Sequence, residues 1–248
     1  MIALVSDIHS NIEALDAVCA DIAQKGCEAI CCLGDVIGYG PDPRACLDRV
    51  MTFKFTIMGN HDYAVFMEPT GFNTAAERAV FWTRSAVGGE PDEELRRRRW
   101  EFLAYMDEFR SQNGIMFAHG SPRLPMHDYL FPDEPETNLN KLMQVFDLVR
   151  GVCFVGHTHL PGVFTETYEF LTPSQLGHKI TIGDRKLIVN VGSVGQPRDL
   201  DPRACYVTVD GREVRWHRVP YDYKKTMAKI QAIDELDEFL ATRLAEGR

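Results

Sequence analysis

The chain has 248 residues, of which 45% are hydrophobic and 25% are charged, a composition that can bury a large core and excludes a disordered chain. Its formal net charge of -9 and pI near 5.4 disfavour extended binding to nucleic acid or to an anionic membrane. A small phosphorylated substrate is still compatible with this charge, because a bound metal ion reverses the sign of the local field. We expect one domain over residues 1–248.

The amino terminus and the cysteines favour a cytoplasmic protein. Met1 to Val5 runs directly into Ser6-Asp7, with no basic region followed by a long apolar segment. We therefore expect neither a signal peptide nor a membrane span. The seven cysteines are odd in number, lie mostly inside apolar runs and show no paired CxxC spacing, so we expect buried, reduced thiols.

Three apolar, strand-like runs alternate with helical patterns near the amino terminus and predict parallel βαβ units. The runs are Ile2 to Val5, Ala29 to Leu33 and Phe53 to Met58. Asn11 is a good cap for the helix after the first run, and Asp42-Pro43 is a typical start for the helix after the second. Right-handed βαβ units bring the carboxyl ends of all three strands to one edge of the sheet.

Residues 64–112 show a helical pattern, and we predict that they form an insert bordering the functional site. Asn73 or Thr74 can cap a segment through Ala86, and Asp92 can cap another. The run of four arginines at 96–99 invites a nucleic-acid interpretation, but four consecutive helical residues point in four directions. A solvated surface paired with nearby glutamates is the favoured alternative.

The sheet pattern resumes after this insert and then becomes antiparallel. Gly114 to Ala118 and Val152 to Val155 read as strands, with a helix between them at 138–149. Two hairpins are predicted next, one over 179–191 with a Gly183-Asp184 turn and one over 205–219 with an Asp210-Gly211 turn. A single amphipathic helix is predicted at about 223–246. The whole pattern predicts an α/β fold of two packed mixed sheets with helices outside.

Five of the predicted strands are each followed by side chains of the types that bind metal ions. These residues are Asp7, His9, Asp35, Asn60, His61, His119, His157 and His159. Imidazole combined with carboxylate and amide oxygen suits manganese, iron, zinc or nickel, and the absence of thiolate disfavours a structural zinc site. One metal ion uses about four such groups, whereas two ions about 3.5–4 Å apart use them all and suit displacement at phosphorus.

These motifs, in this order, resemble the calcineurin-like metallophosphoesterase family. The matching motifs are Asp7-x-His9, Gly34-Asp35, Gly59-Asn60-His61-Asp62, His119 and Gly156-His157-x-His159. The later run from Asn190 to Arg198 is similar to the small bacterial and archaeal phosphodiesterase branch, although proline often stands at the position of Val191. The resemblance implies a four-layer α/β/β/α sandwich and a dinuclear metal-dependent phosphoesterase.

The resemblance also implies a role for each residue at a strand end. One metal ion would be held by Asp7, His9 and His159. The other would be held by Asn60, His119 and His157, with Asp35 as the bridge. A metal-bridging hydroxide would attack phosphorus, and His61 would protonate or hydrogen-bond the leaving oxygen; a purely structural hydrogen bond is the alternative for His61.

One departure from the family bears on the substrate. Family protein phosphatases and diadenosine tetraphosphatases carry an Asp-Arg pair where this chain has Gly38-Tyr39, so a phosphodiesterase is favoured. Arg198 and Arg123 are the candidates to bind phosphate instead, with a surface salt bridge as the alternative for each. A phosphomonoesterase, a protein phosphatase and a non-catalytic scaffold such as the retromer subunit of this fold are the other interpretations.

The expected cofactors are two divalent metal ions per chain, with manganese preferred and iron, zinc or nickel as alternatives. The expected partner is a small phosphate-ester substrate, without a membrane or an extended nucleic acid. The sequence leaves the physiological substrate and the existence of a homo-oligomer open.

Overall fold

The computed structural model describes residues 1–112 and 114–248 and contains two mixed sheets that face each other. The strands are β1 (Ile2–Val5), β2 (Ala29–Cys32), β3 (Phe55–Thr56), β4 (Phe109–Gln112), β5 (Ile115–Ala118), β6 (Val152–Val155), β7 (Gly162–Thr165), β8 (Phe170–Leu171), β9 (Lys179–Thr181), β10 (Leu187–Asn190), β11 (Ala204–Asp210) and β12 (Glu213–Val219). The helices are α1 (Ile12–Gln24), α2 (Pro43–Val50), α3 (Asn60–Ala64), α4 (Thr74–Gly88), α5 (Glu93–Ala104), α6 (Glu134–Thr137), α7 (Leu139–Leu148), α8 (Tyr223–Gln231) and α9 (Glu238–Glu246).

The first sheet has the strand order β3-β2-β1-β11-β12-β9, and the second has the order β4-β5-β6-β10-β7-β8. Alternation along the strands divides the core into layers. In β1, Ala3 and Val5 pack with the α1 and α2 side of the sheet, whereas Leu4 packs between the two sheets. In β6, Phe154 faces the space between the sheets and Cys153 faces α7. The predicted arrangement of two sheets with helices outside is therefore confirmed.

Parallel pairing aligns the strand ends that carry the polar motifs. Val5 pairs with Cys32 and Cys32 pairs with Thr56, so β1, β2 and β3 end at one edge. In the second sheet β5, β6 and β10 are parallel neighbours, which aligns their carboxyl ends in the same way. The side chains that follow these strands are thus brought together from both sheets.

Two local predictions for the carboxyl-terminal part of the chain were wrong. The segments within 179–191 do not form a hairpin, because β9 pairs with β12 in the first sheet whereas β10 pairs with β6 and β7 in the second. The predicted helix at 223–246 is two helices, α8 and α9, which pack together with Ala79 of α4 in a small cluster. The predicted 205–219 hairpin is confirmed as β11 and β12, with Asp210 opposite Glu213.

The segment 64–112 contains α4 and α5 as predicted, but it ends in the edge strand β4, where a helical pattern was predicted. No helix in the described ranges is both long enough and apolar enough to cross a bilayer.

Candidate metal centre and adjoining pocket

The polar residues at the strand ends meet in one buried cluster between the two sheets. Loops after β1, β2, β5 and β6 contribute members, and α3 contributes two more directly after β3. All of the following side chains are buried: Asp7, His9, Asp35, Asn60, His61, His119, His157 and His159. So many buried polar groups are costly unless they are paired or bind metal ions.

The first group of ligand atoms consists of Asp7, His9 and His159. Asp7 Oδ1 lies 3.3 Å from His159 Nε2 and 3.8 Å from His9 Nε2. The two imidazole Nε2 atoms are 3.1 Å apart. Such a triangle of nitrogen and oxygen atoms has the spacing of ligands around one cation.

The second group contains His119, Asn60, His157 and Asp35. His119 Nε2 is 3.2 Å from Asn60 Oδ1 and 3.2 Å from Asp35 Oδ2. The imidazole of His157 joins Asp35 and His119 in a set whose ligand atoms lie within 4.8 Å of one another. Asp35 Oδ2 is also 3.6 Å from His9 Nε2, so this carboxylate oxygen lies between the two groups.

Backbone carbonyls orient three of the imidazoles. The Nδ1 atoms of His9, His119 and His159 contact the carbonyl oxygens of Ile37 at 3.3 Å, Leu33 at 2.9 Å and Gln196 at 2.6 Å. A carbonyl can only accept, so each Nδ1 carries a proton and each Nε2 faces the cluster. Imidazoles that bind metal ions are usually oriented by a hydrogen bond of this kind.

Two inward-facing atoms lack a hydrogen-bond partner among the described residues. Asp7 Oδ2 accepts a hydrogen bond from the backbone N–H of His157 at 3.0 Å, which leaves Asp7 Oδ1 buried and unpaired. His157 Nε2 is likewise buried and unpaired. An unsatisfied buried acceptor is expensive, and a bound cation would satisfy both. The donor set therefore fits divalent metal ions.

The backbone is strained at the same residues. Asp7, His9, Asp35, His157 and His159 all adopt positive φ angles, between 48° and 68°. For residues other than glycine, each such conformation costs about 1–3 kcal/mol and is concentrated at functional sites. The fold thus holds five of the seven predicted ligands in unfavourable conformations to aim them at one point.

The charges of the cluster are shifted by burial and by each other. Burial opposes ionisation of Asp35, but the imidazoles of His119 and His61 lower its pKa well below the usual range. Burial would lower the pKa of His119, yet the carboxylate of Asp35 raises it to about 9. Burial lowers the pKa of His61 to about 4, so its imidazole is neutral near pH 7.

His61 occupies a different position from the predicted ligands. Its ring packs against Tyr39 at 4.3 Å, His9 at 4.9 Å and Phe72 at 4.7 Å between centroids. Its backbone N–H donates to Asp35 Oδ1 at 2.8 Å. A ligand atom of His61 also lies within 4.8 Å of atoms of His9 and Asp35, so its freedom from metal stays a prediction.

Gly38 and Tyr39 shape the surroundings of His61. Gly38 has a φ of 94°, and a Cβ there would lie 2.5 Å from His61 Nδ1. Only glycine leaves room for the imidazole in this position. No carboxylate orients His61 Nδ1 among the described residues, and aromatic packing against Tyr39 holds the ring instead.

The two predicted phosphate-binding arginines lie in different surroundings. Arg198 lies beside the cluster, with its guanidinium 6.0 Å from the Tyr39 ring centroid, and its buried Nε has no partner among the described residues. Its Nη2 donates a hydrogen bond to Gln196 Oε1 at 2.8 Å. Arg123 forms a bidentate ion pair with Asp128 at 2.9 and 3.1 Å. The role of Arg123 in substrate binding stays a prediction, and its guanidinium is engaged elsewhere.

Asp62, the last residue of the Gly59-Asn60-His61-Asp62 motif, has a structural role that its place in the motif does not reveal. Its Oδ1 accepts backbone hydrogen bonds from Val36 at 3.0 Å and Ile37 at 3.2 Å, and its Oδ2 accepts one from Gly59 at 3.1 Å. The carboxylate therefore joins the loop after Asp35 to the turn before Asn60. Burial and the neighbouring Asp35 raise the pKa of Asp62 to about 7.

A cavity of about 450 Å³ opens beside the cluster. Its floor includes Asn60, His61 and His157, and its walls include Phe72, His127 and Tyr129. Phe72 belongs to the segment predicted to border the functional site, and Tyr129 belongs to the loop between β5 and α6. Sequence patterns gave no signal for either aromatic side chain, because both lie outside the predicted strands.

Comparisons with known proteins identify the family and the fold that this chain resembles. A family model described as a calcineurin-like phosphoesterase superfamily domain matches residues 1–213. An uncharacterized protein of Methanocaldococcus jannaschii is 36% identical, with 100% of this chain and 98% of that protein covered. A crystal structure of a metallophosphoesterase from Sphaerobacter thermophilus is 33% identical with a TM-score of 0.82, covering 100% of this chain and 99% of that one. A hypothetical protein from Pyrococcus horikoshii, 19% identical, shares the fold with a TM-score of 0.77 and coverage of 100% and 99%.

Proposed function

The chain belongs to the calcineurin-like phosphoesterase superfamily, and from that membership we propose that it is a dinuclear metal-dependent phosphodiesterase acting on a small or nucleotide-like ester. Membership implies a phosphoester hydrolase. The number and identity of the metal ions and the preference for diesters belong to the proposal.

One observation carries the proposal, namely the position of Asp35 Oδ2 between two sets of ligand atoms. This oxygen lies 3.6 Å from His9 Nε2 in one set and 3.2 Å from His119 Nε2 in the other. Asp7 and His159 complete the first set, and Asn60 and His157 complete the second. Manganese is our preferred ion, since imidazole with oxygen ligands suits it, and iron, zinc and nickel are alternatives.

Two divalent cations in these sets would activate water and neutralise charge on the phosphate. The residues of the chain supply the remaining functions. His61 is neutral and lines the cavity, so its N–H can donate a hydrogen bond to the leaving oxygen. Arg198, beside the cluster, can bind a non-bridging phosphate oxygen through its unpaired Nε.

Gly38 and Tyr39 support the preference for diesters. Neither residue supplies a cation for the second negative charge of a monoester, and Tyr39 instead fills space against His9 and His61 at 4.7 and 4.3 Å. A diester carries only one negative charge, so it depends less on such a cation.

The experiment compares bis(p-nitrophenyl) phosphate with p-nitrophenyl phosphate on the manganese-loaded protein. We expect a higher kcat/KM for the diester and loss of activity after chelation, with recovery on adding manganese. The Asp35→Asn variant, which keeps the shape of the side chain, is the control for a contaminating phosphatase and should be inactive. A tenfold preference for the monoester, about 1.4 kcal/mol of transition-state binding, would contradict the proposal.

A further inference from the structure

The cavity beside the metal centre has walls of a distinctive chemistry. Its lining in the described ranges combines aromatic rings with uncharged polar side chains and includes no lysine, arginine, aspartate or glutamate. Its volume of about 450 Å³ falls within the range of about 300–1,000 Å³ that is usual for small-molecule pockets. A second phosphate or a cationic group would find no countercharge there, so the lining favours a neutral group.

The aromatic walls come from two segments and are held in place. Tyr129 stacks on His157 with ring centroids 3.7 Å apart and lies parallel to Phe131 at 5.4 Å. Phe72 makes an edge contact with His61 at 4.7 Å. Aromatic side chains of this kind favour a planar ring by stacking and apolar contact.

The rim of the cavity offers hydrogen bonds as well. Asn73 Oδ1 caps α4 by accepting from the backbone N–H of Ala76 at 2.9 Å, and the Asn73 amide N–H group donates to no other described residue. The Thr70 hydroxyl and the His127 ring also line the cavity. A planar ring with polar edges matches this lining better than a lipid chain, which has no use for hydrogen bonds.

The position of His61 indicates which part of the substrate enters the cavity. The same side chain that is proposed to contact the leaving oxygen forms part of the cavity floor, next to Asn60 and His157. A group attached to that oxygen is therefore directed into the cavity.

We propose that this cavity, which we call the aromatic pocket and define by Thr70, Phe72, Asn73, His127 and Tyr129, binds a nucleobase on the leaving side of the substrate. The inference rests on the proposed function, because it takes the phosphate to lie on the metal centre. The substrate class is then a phosphate ester of a nucleoside.

The test measures binding of AMP, ribose 5-phosphate and phenyl phosphate to the manganese-loaded protein by calorimetry, with KM used for any ligand that is turned over. AMP should bind at least about fivefold more tightly than ribose 5-phosphate, the lower end of the contribution of one base stacked on an aromatic side chain. Phenyl phosphate should bind more weakly than AMP, because it has no polar ring edge. Equal binding of AMP and either comparison ligand would overturn the assignment to a nucleobase.

Variants of the residues that line the aromatic pocket test their contribution to binding. Phe72→Leu should lower the ratio of AMP affinity to ribose 5-phosphate affinity at least threefold, and Asn73→Asp, which keeps the capping oxygen, should lower it by removing the amide donor. Phe81→Leu is the matched control, because Phe81 lies on α4, is 39% exposed and is not part of the pocket lining; its ratio should not change. A Phe72→Leu variant that weakens both ligands equally would refute the pocket.

The two proposals fail separately. A protein that binds AMP selectively but hydrolyses no phosphodiester would refute the proposed function and support the pocket. A protein that hydrolyses diesters but binds AMP no better than ribose 5-phosphate would refute the pocket alone.

Discussion

Replacement of Asp62 by alanine should destabilise the protein strongly, although Asp62 is not a predicted ligand. The change removes the acceptor for three buried backbone N–H groups, those of Val36, Ile37 and Gly59. Each buried donor left without a partner costs about 1–3 kcal/mol, and water entering the vacated space recovers part of the sum. We therefore expect a loss of about 3–5 kcal/mol in the free energy of unfolding, or roughly 10 °C in melting temperature.

The matched variant is Asp62→Asn. Its amide oxygen can keep the bonds from Val36 and Ile37, while its amide nitrogen faces the N–H of Gly59 and loses that bond. We expect a smaller loss, about 1–2 kcal/mol. The assay is urea unfolding followed by circular dichroism at pH 8, above the pKa of about 7 of Asp62, with the metal content of each variant measured in parallel.

The metal content of the Asp62→Ala variant is a second test of the role of Asp62. Because Asp62 connects the loop after Asp35 to the turn before Asn60, the alanine variant should bind less metal without having lost a ligand. An alanine variant within 1 kcal/mol of the wild type, or one no less stable than the asparagine variant, would refute this account of Asp62.

Three further predictions concern other residues. Asp35→Ala should lose metal ions from both sets of ligands, and elemental analysis showing two per chain would contradict the dinuclear assignment. His61→Ala should keep its metal content and slow hydrolysis of an alkyl phosphodiester by about a hundred- to ten-thousandfold, the usual effect of losing a general acid, while hydrolysis of a nitrophenyl ester slows less. Equal slowing of both substrates would contradict the role of His61 at the leaving oxygen. Burial lowers the pKa of His217 from its ordinary 6.5 to about 4, so the wild type should lose stability as the pH falls from about 6.5 to about 4. His217→Gln should remove about 1–2 kcal/mol of that loss, allowing for partial exposure, and urea unfolding at pH 7.5 and 4.5 checks it.

The strands that end at the candidate metal centre were predictable from the sequence because they are largely buried on both faces and continuously apolar. β1, β2 and β6 all have this character, and each is followed by aspartate or histidine. The choice of partner strand was not predictable from the local pattern. β9 and β10 look like a hairpin in sequence, yet β9 pairs with β12 in the first sheet and β10 pairs with β6 and β7 in the second.

In the candidate site too, some residues were predictable from the local sequence and others were not. Residues that carry metal-binding chemistry, such as His119 and His159, are recognisable from residue type and position. Asp62 acts only through backbone groups that are distant in sequence, and Phe72 and Tyr129 act through the shape of a cavity. Their positions depend on tertiary packing, which neither periodicity nor spacing records.

The pairing of β1 with β11 has a consequence for the order in which the chain can fold. Ile2 pairs with Val209, so β1 lacks one neighbour on the ribosome until β11 has been synthesised. Ser193 Oγ donates to the Asp7 carbonyl and Asn11 donates to the Gly195 carbonyl, both at 2.8 Å, so the first ligand loop also depends on late residues. Contacts between such distant residues slow folding, because a long loop must close before they form. A nascent chain that ends before β6 therefore carries an incomplete set of the predicted metal ligands, because His157 and His159 follow β6.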